Sequence, residues 1–208
     1  MKKAKFIIIL SIIVAAVISV SLYFMLRPAE IRYSTDVGVA DVVGLTVGKY
    51  GDTLDIPGEV VIGGDILKVN KIGLYAFYEN DRVESLKIGE GVKIIEHGAF
   101  GKCANLKNIS LPSSLETIYG YAFTKCESLE KVVIPYGTVT VSTGAFSECT
   151  SLKDVYIPAS VMEIGQYAFH LFTNEAYVPI ENLVIHCVKN SAAHTYAVDN
   201  GINFVFDV

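Results

Sequence analysis

One pattern constrains the fold of this chain more than any other: an Ala-Phe pair recurs with a fixed step of 23 residues. The pairs begin at Ala76, Ala99, Ala122, Ala145 and Ala168. Two further columns keep this step: Ile72, Ile95, Ile118, Val141 and Ile164 before the alanine, and Val83, Leu106, Leu129 and Leu152 after it. A fixed period of about 20 to 50 residues is typical of a solenoid, in which each repeat packs only on its neighbours. The sequence therefore predicts stacked coils.

Each repeat also contains one short predicted strand. In the third repeat Val132 and Ile134 are expected to point inward, while Lys131 and Val133 point outward, because successive strand residues face opposite sides. Pro135 ends the ladder, since proline has no N–H to donate. Across the strands, the predicted outward pairs are Ser85 and Lys87, Asn108 and Ser110, Lys131 and Val133, Asp154 and Tyr156, and Asn182 and Val184.

Three of the four cysteines, Cys103, Cys126 and Cys149, share the same step. Stacked coils would place them about 4.8 Å apart, close to disulfide range. Three thiols cannot all pair, however, and their side chains should be parallel. We therefore predict buried free thiols rather than a disulfide. Without a histidine column we predict no zinc site, and Cys187, outside the column, is expected to be buried.

The N-terminus carries 21 consecutive residues without charge, Phe6 to Leu26. As a helix they would span about 31 Å, enough to cross a bilayer core. Three lysines precede the segment and only Arg27 follows it, which places residues 1–5 in the cytoplasm and the remaining chain outside it. We expect an uncleaved signal-anchor at 6–27 and a cell-membrane location. A cleaved signal peptide, which would make the protein secreted, is the alternative.

The repeats occupy 71–180, between an N-terminal cap at 31–70 and a C-terminal cap at 181–208. The first cap contains a strand at Leu54–Ile56 and glycine pairs typical of a hairpin. The second contains a strand at Leu183–Ile185 and a short helix with Ser191 as its N-cap and Gly201 at its end. A closing strand is predicted from Ile202 to Phe206.

The repeat resembles the BspA-like (treponemal-type) leucine-rich repeat family of bacterial surface proteins. Its pattern IGxxAFxxCxxLxxVxIPxSVxxI is seen here as IYGYAFTKCESLEKVVIPYGTVTV, and the chain ends in SAAHTYAVDNGINFVF. The resemblance covers about 37–208. It implies a leucine-rich-repeat solenoid, a β-rich right-handed coil of the α/β type displayed outside the cell, and it implies adhesion and host-protein binding. In such repeats the cysteine column bonds to backbone at an inward turn. Thr138, where an apolar residue is usual, and Phe172, in the cysteine column, depart from the pattern.

No motif for catalysis, phosphate binding or a cofactor is found, so we predict a protein that is not an enzyme, with no cofactor and no metal. Ser191, His194 and Asp199 could suggest a triad, but helix capping explains them. A net charge of -5 without a basic face argues against nucleic acid as a partner.

The remaining candidate is the outward strand surface, and the alternative is that this surface is simply solvated. Tyr156 is the expected anchor, because tyrosine is enriched at interface hot spots. The other candidate binding residues are Asp154, Lys131, Val133, Asn108, Ser110, Lys87 and Tyr136. We expect an extracellular or envelope protein or glycan as ligand, with the lipid bilayer contacted through 6–26. The alternative function is a structural scaffold of the cell envelope.

Overall fold

The computed structural model describes residues 30–36, 39–45, 52–173 and 175–207. Most of them belong to one compact unit formed by 31–44 and 51–208. The second unit, 1–30 and 45–50, lies almost wholly outside the described residues. The predicted anchor at 6–27 lies outside them as well and stays a prediction. Among the described residues, no helix is both long enough and apolar enough to cross a bilayer.

Short strands dominate the described residues, and a single helix follows near the C-terminus. In chain order the elements are β1 (Ile31–Asp36), β2 (Val39–Leu45), β3 (Thr53–Ile56), β4 (Glu59–Ile62), β5 (Asp65–Ile72), β6 (Ser85–Ile88), β7 (Ile94–Ile95), β8 (Asn108–Ser110), β9 (Thr117–Ile118), β10 (Lys131–Val133), β11 (Thr140–Val141), β12 (Asp154–Ile157), β13 (Glu163–Ile164), β14 (His170–Thr173), β15 (Ala176–Pro179), β16 (Val184–Cys187), α1 (Ala192–Asp199) and β17 (Asn203–Val205).

The strands of successive coils pair in parallel and in register, as a solenoid requires. One sheet has the order β1-β2-β5-β7-β9-β11-β13, with β4 paired to β5. On it Ile72, Ile95 and Ile118 lie side by side, one coil apart. The other strand of each coil forms two separate ladders, β3-β6-β8 and β10-β12-β16-β17. Residues that are 23 positions apart in the sequence are therefore paired with each other in the sheets.

The interior is built from columns in which the same residue type recurs. Phe77, Phe100, Phe123, Phe146 and Phe169 are all buried, and neighbouring rings stack with centroids 5.1 to 5.6 Å apart. The preceding alanines from Ala99 onward are fully buried, which leaves the turn room to pass close to the next coil. Each coil therefore completes the apolar surface of the one before it.

The cysteine column is buried and its thiols are free, which confirms the prediction. Each thiol donates to a phenylalanine carbonyl of the preceding coil: Cys103 to Phe77 at 3.3 Å, Cys126 to Phe100 at 3.4 Å and Cys149 to Phe123 at 3.2 Å. Burial raises the pKa of Cys103 to about 12. The Cys103 thiol is therefore a small buried donor whose reactive thiolate form is disfavoured.

Thr138 is fully buried even though it replaces an apolar residue. Its Oγ1 donates to the carbonyl of Leu115 at 3.1 Å, which satisfies the hydroxyl group. A polar residue is therefore compatible with this column, provided that a carbonyl of the neighbouring coil lies within reach.

Both ends of the described unit carry elements that the repeats lack. At the N-terminal end, β4 and β5 form an antiparallel hairpin. At the other end, the antiparallel pair β14–β15 is inserted before β16. Helix α1 is capped by Ser191, whose Oγ accepts from the His194 N–H at 3.2 Å. The hydroxyl of Ser191 is thus engaged in capping, as the sequence indicates.

Candidate functional site on the strand face

We use the term strand face for the outward residues of β6, β8, β10, β12 and β16. Along it, Lys131 pairs with Asp154 and Val133 with Tyr156, so these side chains lie one coil apart. In β16 the outward residues are Val184 and His186, which pair with Asp154 and Tyr156. The prediction of Val184 as an outward residue is confirmed, whereas the prediction of Asn182 was wrong: Asn182 precedes β16, and His186 is the second outward residue.

The strand face is not continuous: β8 ends one ladder and β10 begins the next. A cleft of about 640 Å³ lies at this break. It is lined by Lys107, Asn108, Ile109, Ser128, Glu130, Lys131, Val133 and Ser151. Ile109 occupies the same inward register position as the buried Val132, but it is only half-buried because it borders this opening. The cleft therefore combines apolar side chains, both signs of charge and two strand edges that are not paired with each other.

Beside the cleft, three side chains from successive coils stack on one another. The Tyr156 and His186 rings are nearly parallel, with centroids 3.9 Å apart and 9° between the planes. Lys131 Nζ lies 4.4 Å from the centroid of the Tyr156 ring. Tyr156 faces outward as predicted, but these two neighbours leave it only half-exposed. It offers a ligand part of a preformed aromatic and cationic cluster rather than an isolated ring.

His186 is held between two carboxylates. Its Nε2 lies 3.0 Å from Asp154 Oδ1 and its Nδ1 lies 2.8 Å from Asp207 Oδ2. Burial alone would lower the pKa of His186, but the hydrogen bonds and charges of Asp154 and Asp207 outweigh it and raise the pKa above the ordinary value of 6.5. Both ring nitrogens donate only in the imidazolium form. The cluster is therefore a charged unit that fixes the tyrosine ring.

The predicted site residues separate into groups on this face. Asn108, Lys131 and Val133 line the cleft, and Asp154 and Tyr156 belong to the adjoining cluster. Ser110 is exposed on β8, while Lys87 Nζ pairs with Asp55 at 3.7 Å on the neighbouring coils. Tyr136 is 79% exposed just beyond β10. The structure brings five of the eight together and leaves their role in binding a prediction.

Sequence reasoning missed His186, Asp207 and the cleft residue Lys107. His186 and Asp207 belong to the C-terminal cap, which has no repeat column to align them. Lys107 precedes its strand, and no residue pattern marks the break that exposes it. Among the described residues, no group of three His, Cys, Asp or Glu side chains is arranged to hold a metal ion.

The geometry defines a leucine-rich-repeat solenoid. The model of the BspA type leucine-rich repeat region matches residues 70–192 in six copies, and the chain belongs to this family. This confirms the resemblance read from the repeats. No curated protein matches the chain.

Solved structures agree with this assignment. The leucine-rich repeat protein TpLRR of T. pallidum is similar at 30% identity and a TM-score of 0.63, covering 75% of this chain and 68% of that one. A leucine-rich repeat protein of Bacteroides ovatus has 26% identity and a TM-score of 0.61, covering 77% of this chain and 40% of that one. The pneumococcal vaccine antigen PcpA, at 18% identity and a TM-score of 0.56, shares the fold. This chain thus spans less than half of the Bacteroides protein.

Membership of a leucine-rich-repeat surface-protein family makes the chain a binding or recognition module by type. The strand face has the properties such a module needs. Val133 is 54% exposed, although it is apolar. Among the described residues, Lys131 has no carboxylate within ion-pairing distance. An apolar contact and an available cation therefore lie on one strand.

Proposed function

We propose that this chain is a non-catalytic recognition module that binds a protein ligand through the cleft and the neighbouring cluster of the strand face. The observation that carries the proposal is the break between β8 and β10, which opens a cleft of about 640 Å³ beside the Lys131, Tyr156 and His186 stack. A ligand there would meet a rigid aromatic ring and a cation already in place. Preorganised groups reduce the entropy cost of binding.

The chemistry of the cleft favours a protein segment that carries an acidic residue next to an apolar one. Ile109 and Val133 provide the apolar contact, and Lys131 provides the charge that a carboxylate would complement. The other lysine, Lys107, is already paired with Glu84 at 2.7 Å. Charge complementarity of this kind gives specificity and speeds association.

The proposed module is held at the membrane by its N-terminal segment, with the repeats outside the cytoplasm. The uncharged segment 6–26 is long enough to hold the chain in a bilayer, and the lysines before it favour a repeat domain on the outer side of the membrane. A protease added to intact cells should therefore remove the repeat domain and leave residues 1–5 protected. Protection of the repeats, with digestion only after lysis, would contradict this orientation.

The binding proposal is tested with the full chain held in lipid nanodiscs. A random peptide library selected on this chain should yield sequences with an acidic residue beside an aliphatic or aromatic one. Val133→Ser combined with Tyr156→Ala should raise the dissociation constant of such a peptide about 30-fold, because hot-spot residues contribute roughly 2 kcal/mol or more. Lys131→Met keeps the aliphatic stem and should remove the preference for the acidic residue.

The matched control is Val61→Ser combined with Tyr119→Ala. It alters one valine and one tyrosine that are 67% and 43% exposed and lie off the strand face. Its peptide affinity should equal that of the unchanged chain. Equal affinity in the strand-face variant, with unchanged melting, would refute the proposed site.

A further inference from the structure

A second surface follows the strands of the long sheet, at the position immediately before each repeat alanine. From the first repeat to the fifth, this position alternates between tyrosine and glycine: Tyr75, Gly98, Tyr121, Gly144 and Tyr167. Tyrosine therefore recurs every 46 residues, or every second coil. We use the term tyrosine strip for Tyr75, Tyr121 and Tyr167.

The backbone at this position is left-handed in all five coils, with φ of 51° at Tyr75, 56° at Tyr121 and 57° at Tyr167. Glycine adopts this conformation without strain, whereas a bulky side chain does not. The two glycines have the same conformation, with φ of 63° and 62°. Glycine would therefore suit every coil, and tyrosine at three of the five positions carries a conformational cost.

Each of the first two rings is seated on the glycine of the following coil. A Cβ on Gly98 would lie 2.3 Å from the Tyr75 ring, and one on Gly144 would lie 2.6 Å from the Tyr121 ring. This packing leaves no room for a side chain at the two glycines, but it covers only part of each tyrosine ring. Tyr75 is 50% exposed, and Tyr121 and Tyr167 are each 38% exposed. One face of the Tyr167 ring is covered by the Tyr177 ring, with centroids 4.0 Å apart, so only the remaining part of Tyr167 is available to a ligand.

The spacing of the strip suits an extended polymer. The His97 ring lies 5.5 Å from the Tyr75 ring and 5.4 Å from the Tyr121 ring, so the two tyrosines lie within about 11 Å of each other. In a β-1,4-linked glycan successive sugars turn opposite faces outward, and the same face returns at every second sugar. An aromatic ring on every second coil would match that alternation.

The strip is also uncharged, which favours a neutral occupant. Its positions and those just before them, 74–75, 97–98, 120–121, 143–144 and 166–167, contain no Asp, Glu, Lys or Arg. The strip ends at a separate cleft of about 260 Å³, lined by Ile164, Gln166, Tyr167, Tyr196 and Asn200. Aromatic rings with amide and hydroxyl groups provide flat apolar contact and neutral hydrogen bonds together, which is the combination a sugar requires.

We propose that the tyrosine strip and the cleft at Gln166 and Asn200 form a binding site for a neutral β-1,4-linked polysaccharide. The rings of Tyr75 and Tyr121 and the exposed part of the Tyr167 ring contact alternate sugars. At the end of the strip the Gln166 amide and the Oδ1 of Asn200, whose Nδ2 already donates to the Tyr196 carbonyl at 2.8 Å, bind the hydroxyl groups of a sugar beyond them. This site is separate from the strand face and does not depend on the protein ligand proposed for it.

The test measures oligosaccharide binding by titration calorimetry, with the full chain in nanodiscs free of sugar-based detergent. Cellohexaose and N-acetylchitohexaose are the β-1,4-linked probes, and maltohexaose is the α-1,4-linked control. We expect at least one β-linked hexasaccharide to bind at least ten times more tightly than maltohexaose. Its affinity should rise from the disaccharide to the tetrasaccharide and again to the hexasaccharide.

The variants remove a ring without adding backbone strain, because asparagine tolerates the left-handed conformation. Tyr121→Asn, in the centre, should weaken hexasaccharide binding at least tenfold while circular dichroism shows that the chain stays folded at the temperature of the titration. Tyr75→Asn should weaken the hexasaccharide but not the disaccharide. Phe206→Ala, which alters an aromatic residue that is 48% exposed in the C-terminal segment, should have no effect.

Three outcomes would overturn the proposal: neither β-linked hexasaccharide binds, maltohexaose binds equally well, or Tyr121→Asn binds like the unchanged chain. The strand-face variant serves as a cross-check. If Val133→Ser with Tyr156→Ala loses peptide binding and keeps glycan binding, the two sites are independent.

Discussion

The interior columns and the strand face use the same 23-residue repeat in opposite ways. Inside, the residue is the same from coil to coil, as in the stacked rings of Phe100, Phe123 and Phe146. Outside, at one register position, the residue changes from Asn108 in one coil to Lys131 and Asp154 in the next two. The identical buried residues stabilise every coil in the same way. The exposed residues differ between coils, so a given set of binding groups occurs in only a few coils.

The largest effect should come from breaking an interior column at its centre. Phe123→Ala removes a fully buried ring that stacks on both neighbours, and it should lower the free energy of unfolding by about 3 to 5 kcal/mol. Urea unfolding followed by circular dichroism measures this loss. Phe172→Ala, at a ring that is 56% exposed, is the control and should change stability by about 0.5 kcal/mol or less. If both variants lost a similar free energy of unfolding, the buried phenylalanine column would not be the main source of the stability.

A smaller loss is expected from the cysteine column. Cys126→Ala leaves the Phe100 carbonyl without its 3.4 Å thiol donor and opens a small cavity, so we expect about 1 to 2 kcal/mol of destabilisation. Cys126→Ser keeps a donor and should recover part of this loss. If treatment with a reductant destabilised the unchanged chain by as much as Cys126→Ala does, the thiols would not be free.

The stability contributed by the His186 cluster should depend on pH. Because the pKa of His186 is raised on folding, its stabilising bonds to Asp154 and Asp207 are fully present below its ordinary pKa of 6.5 and are lost as the pH rises through the raised value. The stability difference between the unchanged chain and His186→Asn should therefore shrink as the pH rises. We expect about 1 kcal/mol or less.

His170 acts in the opposite direction, since burial lowers its pKa and stability through this group is lost as the pH falls. It is present in both chains, so the comparison with His186→Asn cancels its contribution. Unfolding curves collected from about pH 6 to pH 9 provide the measurement. A difference that stayed constant over this range would mean that His186 is not protonated in the cluster.

The smallest effect on stability should come from the strand face itself. Lys131→Met removes a cation that lies 4.4 Å from the Tyr156 ring and keeps the aliphatic stem, so the change should be about 0.5 kcal/mol. The same variant should lose selectivity for acidic peptides. A large loss of stability would show that Lys131 supports the fold rather than recognition.

The sequence predicted the fold well because identical residues in successive coils must occupy the same environment. The inward and outward assignment of Val132 and Lys131 follows from that rule alone and is confirmed. The break between β8 and β10 could not be predicted, because Ile109 has the same apolar character as its buried counterparts. The bonds from His186 to Asp207 join two parts of a cap that does not repeat. The tyrosine strip is visible in the sequence as a tyrosine every 46 residues, but this period is twice that of the repeat and does not form a uniform column.

Hydrogen–deuterium exchange on the full chain, with and without a selected acidic peptide, tests the central claim most directly. If the strand face is the recognition surface, the peptide should slow exchange in β8 and β10 and leave the rates in β9 and β11 unchanged. Slowed exchange confined to β9 and β11, with none in β8 or β10, would contradict it.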